Sequence, residues 1–107
     1  MVATTRTRAV LSGTTVPGIP PYVRLLFDKV REQWAVLAPE KVMWPDEISI
    51  EILKKCDGAA SIDAISNALA SEYDAPLAEV AADVLEFLQE WSDRRLIVVL
   101  GPAEAQA

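Results

Sequence analysis

The chain contains no histidine among its 107 residues, and this absence removes most familiar catalytic designs. Without imidazole there is no Ser/His/Asp or Cys/His nucleophile system, no His-containing zinc site and no proton shuttle titrating near neutrality. Cysteine is almost as scarce. Cys56 stands alone, so it forms no internal disulfide and assembles no thiolate metal site. Long apolar runs are missing as well: the strongest, residues 34–37 and 96–100, fall far below the roughly 20 residues that a bilayer core requires. After Arg6 and Arg8 only Ala9, Val10 and Leu11 precede Ser12 and Gly13, too little for a secretory leader. These absences predict a cytoplasmic protein with no membrane partner, no metal and no cofactor. What is present is a 51% hydrophobic composition, ample for the core of one small domain but leaving little volume for a deep substrate cavity. The expectation is a binding module rather than an enzyme.

Residues 1–20 hold five threonines, two glycines, two prolines and no acid, without a sustained apolar period; they read as a flexible tail. Residues 101–107, a Gly-Pro pair followed by small residues, read as a second tail. The domain is expected over residues 21–100. Within it, Val23, Leu25 and Phe27 alternate with their neighbours, as do Trp34, Val36 and Ala38, which predicts two strands. A third, Lys41-Val42-Met43-Trp44, follows a tight turn preset by Pro39. From Asp46 the period becomes helical. Ile48, Ile52 and Cys56 share one face until Asp57-Gly58 stops the first helix. Ser61 caps a second helix with Ile62, Ile65 and Leu69 on one side. A third runs from about Pro76 to Ser92, capped by Asp74 or Ala75, before the β-branched segment 96–100. The predicted class is α+β and winged helix-turn-helix-like: a three-stranded antiparallel meander, a three-helix bundle and a terminal extended segment.

That outline is often met on DNA, but the charge opposes it. Residues 46–93 carry two lysines against twelve acids, a formal charge of −10. Glu79, Asp83, Glu86 and Glu90 recur on one face of the third helix, where they would repel phosphate, and binding to the nucleic-acid backbone needs Lys and Arg. This acidic row reads as a solvated face. Residues 21–45 are instead faintly basic, at +1. If the meander runs in chain order, its third strand lies at the sheet edge, with Val42 and Trp44 on one face and Lys41 and Met43 on the other. An apolar edge invites aggregation unless covered, and an added peptide strand is a natural cover. The third helix offers Val80, Val84, Phe87, Leu88 and Trp91 beside it; core packing claims half of these or more, with Trp44 and Trp91 the expected interface anchors.

Val23-Arg24-Leu25-Leu26-Phe27-Asp28-Lys29-Val30-Arg31, Trp34-Ala35-Val36-Leu37-Ala38-Pro39-Glu40, Ile52-Leu53-Lys54-Lys55-Cys56-Asp57-Gly58 and Asp83-Val84-Leu85-Glu86-Phe87-Leu88, in this order and spacing, resemble the PqqD family of pyrroloquinoline quinone (PQQ) biosynthesis. The resemblance implies a peptide chaperone, without chemistry of its own, that holds the ribosomally made precursor peptide PqqA and presents it to the radical S-adenosylmethionine enzyme PqqE for Glu-Tyr joining. It also implies association or fusion with the oxidase PqqC. Carried onto this sequence, the peptide would lie between Lys41, Val42, Met43 and Trp44 on one wall and Val84, Phe87, Leu88 and Trp91 on the other. Pro45, lacking an N-H, should end strand addition there. A small acidic carrier or general protein-interaction domain is the competing reading, but the Asp-Ser-Leu tripeptide typical of carriers is absent. Cys56, on an apolar helix face with no histidine to activate it, reads as a buried structural thiol.

Overall fold

The expected strand and helix succession is present in a computed structural model of the chain, which describes residues 8–101 and 104–106. Strands β1 (Arg8–Val10) and β2 (Pro17–Gly18) precede a meander of β3 (Arg24–Asp28), β4 (Gln33–Ala38) and β5 (Lys41–Met43). Helices α1 (Glu47–Lys54), α2 (Ile62–Glu72) and α3 (Leu77–Asp93) follow, then β6 (Val98–Val99) and β7 (Glu104–Gln106). The class is α+β, with antiparallel strands throughout.

Local chemistry sets the helix starts. Asp46 caps α1, its Oδ1 accepting the Ser49 amide at 2.8 Å, and the Ser49 side chain first, then this amide, hold its carboxyl below the ordinary aspartate value. Ser61 Oγ accepts the Ala64 amide at 3.1 Å and caps α2 as expected. Pro76 itself occupies the cap position of α3, one or two residues later than the sequence suggests, and makes no side-chain cap bond. Between α1 and α2, Asp57 Oδ1 accepts from the amides of Ala59 and Ala60, which lowers its pKa. Gly58 adopts φ +80° there, a conformation that favours glycine.

Val36 from the meander, Ile50, Ile52 and Leu53 from α1, Ile62, Ile65 and Leu69 from α2, and Val84, Leu88 and Trp91 from α3 form one core with Leu96 and Ile97. Within α1 the buried face differs from the expected one: Ile50 and Leu53 join Ile52 and Cys56, while Ile48 is 45% exposed. The inner sheet face carries Leu25, Trp34, Val36, Ala38 and Met43, and the register places Leu26, Ala35, Leu37 and Val42 on the other face.

The N-terminal tail is the main correction. Leu11, Thr15, Pro17, Gly18 and Pro20 are buried, and the segment is hydrogen-bonded to three parts of the domain. Carbonyls of Gly13 and Thr15 accept the Asp63 and Ile62 amides at 2.9 and 2.8 Å, meeting donors that the first turn of α2 leaves without helical partners. Pro17 O accepts the Gly58 amide, and β2 pairs with β6. The Gln89 side chain accepts the Leu11 amide and donates to Ala9 O, both at 2.9 Å, imitating a neighbouring strand. Residues 8–20 are therefore a folded strap. At the other end β7 pairs with β1, so residues 104–106 are not a free tail either; residues 1–7, 102, 103 and 107 lie outside the described residues.

Candidate functional site

β5 is one of the two edges of the meander, whose strand order is β3-β4-β5, β3 being the other. The register of β5 with β4 runs up to the Pro39-Glu40 turn: Ala38 faces Lys41, Leu37 faces Val42 and Val36 faces Met43. A two-residue turn makes its flanking residues a hydrogen-bonded pair. Such pairs alternate along an antiparallel ladder, so Lys41 and Met43 direct their main chains toward β4. Val42 directs its N-H and C=O outward. Its side chain is 54% exposed. Lys41 is exposed and Met43 half-buried against the core.

The α3 wall differs from expectation. Val84, Leu88 and Trp91 are 1%, 0% and 5% exposed and belong to the core, because α2 and the segment after α3 cover that face. Leu88 and Trp91 thus lie behind the groove, and Trp91 is not an open interface anchor. Phe87 is half-buried, its ring centroid 5.1 Å from that of Trp91. Arg94, just past α3, crosses toward β5, with Nη2 4.0 Å from Met43 Sδ and the guanidinium 6.0 Å from the Trp91 ring centroid. Met43 is thus linked through Arg94 and Trp91 to Phe87, while the Val42 side chain points to the other sheet face. A cavity of about 210 Å³ lies between α1, α2 and α3, lined by Ile48, Ile52, Leu69, Tyr73, Ala75, Val80, Asp83 and Val84. Of the α3 residues singled out from the sequence, Val80 and Val84 reach this cavity. Ile48, Tyr73 and Asp83 escaped notice because spacing assigned Ile48 to the core and Asp83 to a solvated row.

Trp44, 41% exposed, sits where β5 leaves the sheet. It lines a second cavity of about 440 Å³ with Trp34, Pro45, Ile50 and the acids Glu32, Glu47 and Glu51. The chain's own cations lie over both indoles: Arg31 is 4.9 Å from the Trp44 centroid and Lys54 5.0 Å from that of Trp34.

Among the described residues no group of three or more His, Cys, Asp or Glu is placed to hold a metal, and no helix is long and apolar enough to cross a membrane. Cys56 is buried, and its Sγ donates to Ile52 O at 3.3 Å. Desolvation first, then the charge of Asp57, pushes its thiol up to about 12. Alkylation of the native protein at pH 8 is expected to be at least tenfold slower than in denaturant, because the thiolate is the nucleophile. Equal rates would contradict the burial. The same shift makes stability decline as pH rises past the ordinary thiol value, since the unfolded chain releases a proton that the folded one retains.

Known proteins resemble this chain in sequence and fold. Residues 33–97 match the family described as Coenzyme PQQ synthesis protein D (PqqD). The PqqA binding protein of Rhodopseudomonas palustris is 47% identical over 87 residues, 81% of this chain and 85% of that one. Its counterpart in Rhizobium meliloti is 41% identical over 91 residues, 85% of this chain and 93% of that one. Among solved structures, the PqqD portion of Methylobacterium extorquens PqqCD superposes with a TM-score of 0.71 at 36% identity, covering 82% of this chain and 94% of that one. It is described as a functional, stand-alone recognition element for ribosomally synthesized and post-translationally modified peptides. PqqD from Xanthomonas campestris superposes with a TM-score of 0.51, also at 36% identity, covering 80% and 96% of the two chains. A family match across most of the domain and close relatives along nearly its whole length lead to one conclusion: the chain belongs to the PqqD family of PQQ biosynthesis proteins.

Proposed function

We propose that this protein binds the PqqA precursor peptide as an additional strand on β5 and presents it to the radical S-adenosylmethionine enzyme PqqE, which joins a Glu and a Tyr of the peptide. The protein catalyses nothing itself and works in the cytoplasm as a winged-helix recognition domain, alongside the oxidase PqqC. The observation that carries this reading is the outward main chain of Val42 on an edge that no other strand among the described residues pairs with. Main-chain bonds at such an edge supply affinity, and side chains in the flanking groove supply specificity. Relatives that bear the name PqqA binding protein support the choice of peptide, and the PqqCD chain containing a PqqD portion supports the association with PqqC. Lys41, Val42, Met43, Trp44 and Phe87 make the direct contacts in this reading, with Val84, Leu88 and Trp91 as the packed support behind them.

Titration of isotope-labelled protein with synthetic PqqA tests the proposal. Saturable amide shifts are expected at residues 41–44 and along α3. Their absence at high peptide concentration, or shifts confined to the far side of the sheet, would refute strand addition. Adding PqqE to the peptide complex then tests presentation, which predicts a ternary complex in which the residue 41–44 shifts persist.

A further inference from the structure

We infer that the cavity between α1, α2 and α3 is the far end of the peptide groove and selects a segment in which a basic residue adjoins an apolar one. This rests on the peptide-binding reading above. Arg94, beside Met43, and Val80, in the cavity wall, are separated along the α3 axis by about 21 Å at 1.5 Å per residue. Roughly six residues of extended peptide at about 3.3 Å each cover that length. Strand addition at β5 uses the first few, and the remainder arrive at the cavity.

Two features there define the occupant. The walls are apolar, with Ile48, Ile52, Val80 and Val84 around about 210 Å³, a volume suited to one aliphatic or aromatic side chain. The charged group in the lining is Asp83, whose carboxylate is exposed and makes no hydrogen bond or ion pair among the described residues. The two lysines of the helical half are already engaged: Lys54 pairs with Glu51 at 3.2 Å and Lys55 with Glu72 at 3.0 Å. The rim is nonetheless negative. The Tyr73 phenol is held above its ordinary value, by desolvation first and then by Glu47, Glu51 and Glu72, with Lys55 opposing. The exposed Asp83 carboxylate is open to a cation carried by the ligand, and the apolar walls accept a hydrophobic neighbour to that cation.

The experiment measures affinity by calorimetry with the full chain and synthetic PqqA, then with peptides in which each Lys or Arg is singly replaced by norleucine. One replacement is expected to weaken binding about three- to tenfold, as for a partly desolvated charge pair. Asp83→Asn should weaken the unmodified peptide by a similar factor, and the two changes together should cost little more than either alone. Glu79→Gln, on the same acidic row but outside the cavity lining, should change affinity by less than about twofold. Circular dichroism melts would verify that these exposed-site variants fold. Wild-type affinity in Asp83→Asn, independent multiplication of the two effects, or an equal loss in Glu79→Gln would each overturn the inference while leaving strand addition intact. Failure of unmodified PqqA to bind wild-type protein would overturn both readings.

Discussion

Leu88→Ala is expected to lower the unfolding free energy by about 2–5 kcal/mol, the range for truncating a fully buried leucine. Leu88 is 0% exposed and shares the core with Val84 and Trp91 from its own helix and with Ile62, Ile65 and Leu69 from α2. Truncation removes transfer free energy and leaves a void, because helices fixed by two caps and a strap do not collapse freely into it. In a domain whose total stability is on the order of 5–15 kcal/mol, such a loss takes away a large share. The measurement is urea unfolding, with a lower midpoint and an unchanged slope. Phe87→Ala supplies the contrast, since a half-buried ring at the groove should cost less stability and more affinity. A loss below about 1 kcal/mol for Leu88→Ala would mean that the side chain belongs to the peptide wall.

The contrast between Leu88 and Ile48 shows how far sequence reaches in this chain. Period two and period 3.6 identify the meander and the helices, because alternation and helical spacing follow directly from backbone geometry. Ser61 and Asp46 announce their helices through side-chain chemistry that is local. Spacing does not say what covers an apolar helix face. Leu88 and Ile48 both sit on apolar stripes, yet one is sealed by α2 and the chain end while the other opens onto a cavity, a difference made by tertiary packing. The strap was illegible for another reason: Gly13 and Thr15 serve through carbonyls offered to α2, and main-chain acceptors leave no mark on residue type. Its prolines, glycines and threonines imitate a linker while Pro17 and Pro20 are fully buried. The β5 edge lies between these cases. Pro39 foretells the turn, and the turn length then determines which residue of the edge faces out.

That residue makes Val42→Pro the sharpest functional test. Proline at Val42 removes one N-H, and the ladder geometry assigns that donor to the open edge rather than to β4. The β4 ladder should survive, because its bonds use Lys41 and Met43, and the exposed Val42 side chain contributes little to the core. Proline is tolerated on edge strands for this reason. Peptide affinity is expected to fall at least about tenfold, through loss of a central main-chain bond and a steric block to the incoming strand, with only a small change in melting temperature. Met43→Pro is the companion measurement. Its N-H points inward, so the same substitution one residue along should break the β4 pairing and destabilise the domain outright. If Val42→Pro binds PqqA as tightly as the wild type while remaining folded, the peptide does not use this edge. If both variants unfold alike, the outward assignment of Val42 is wrong.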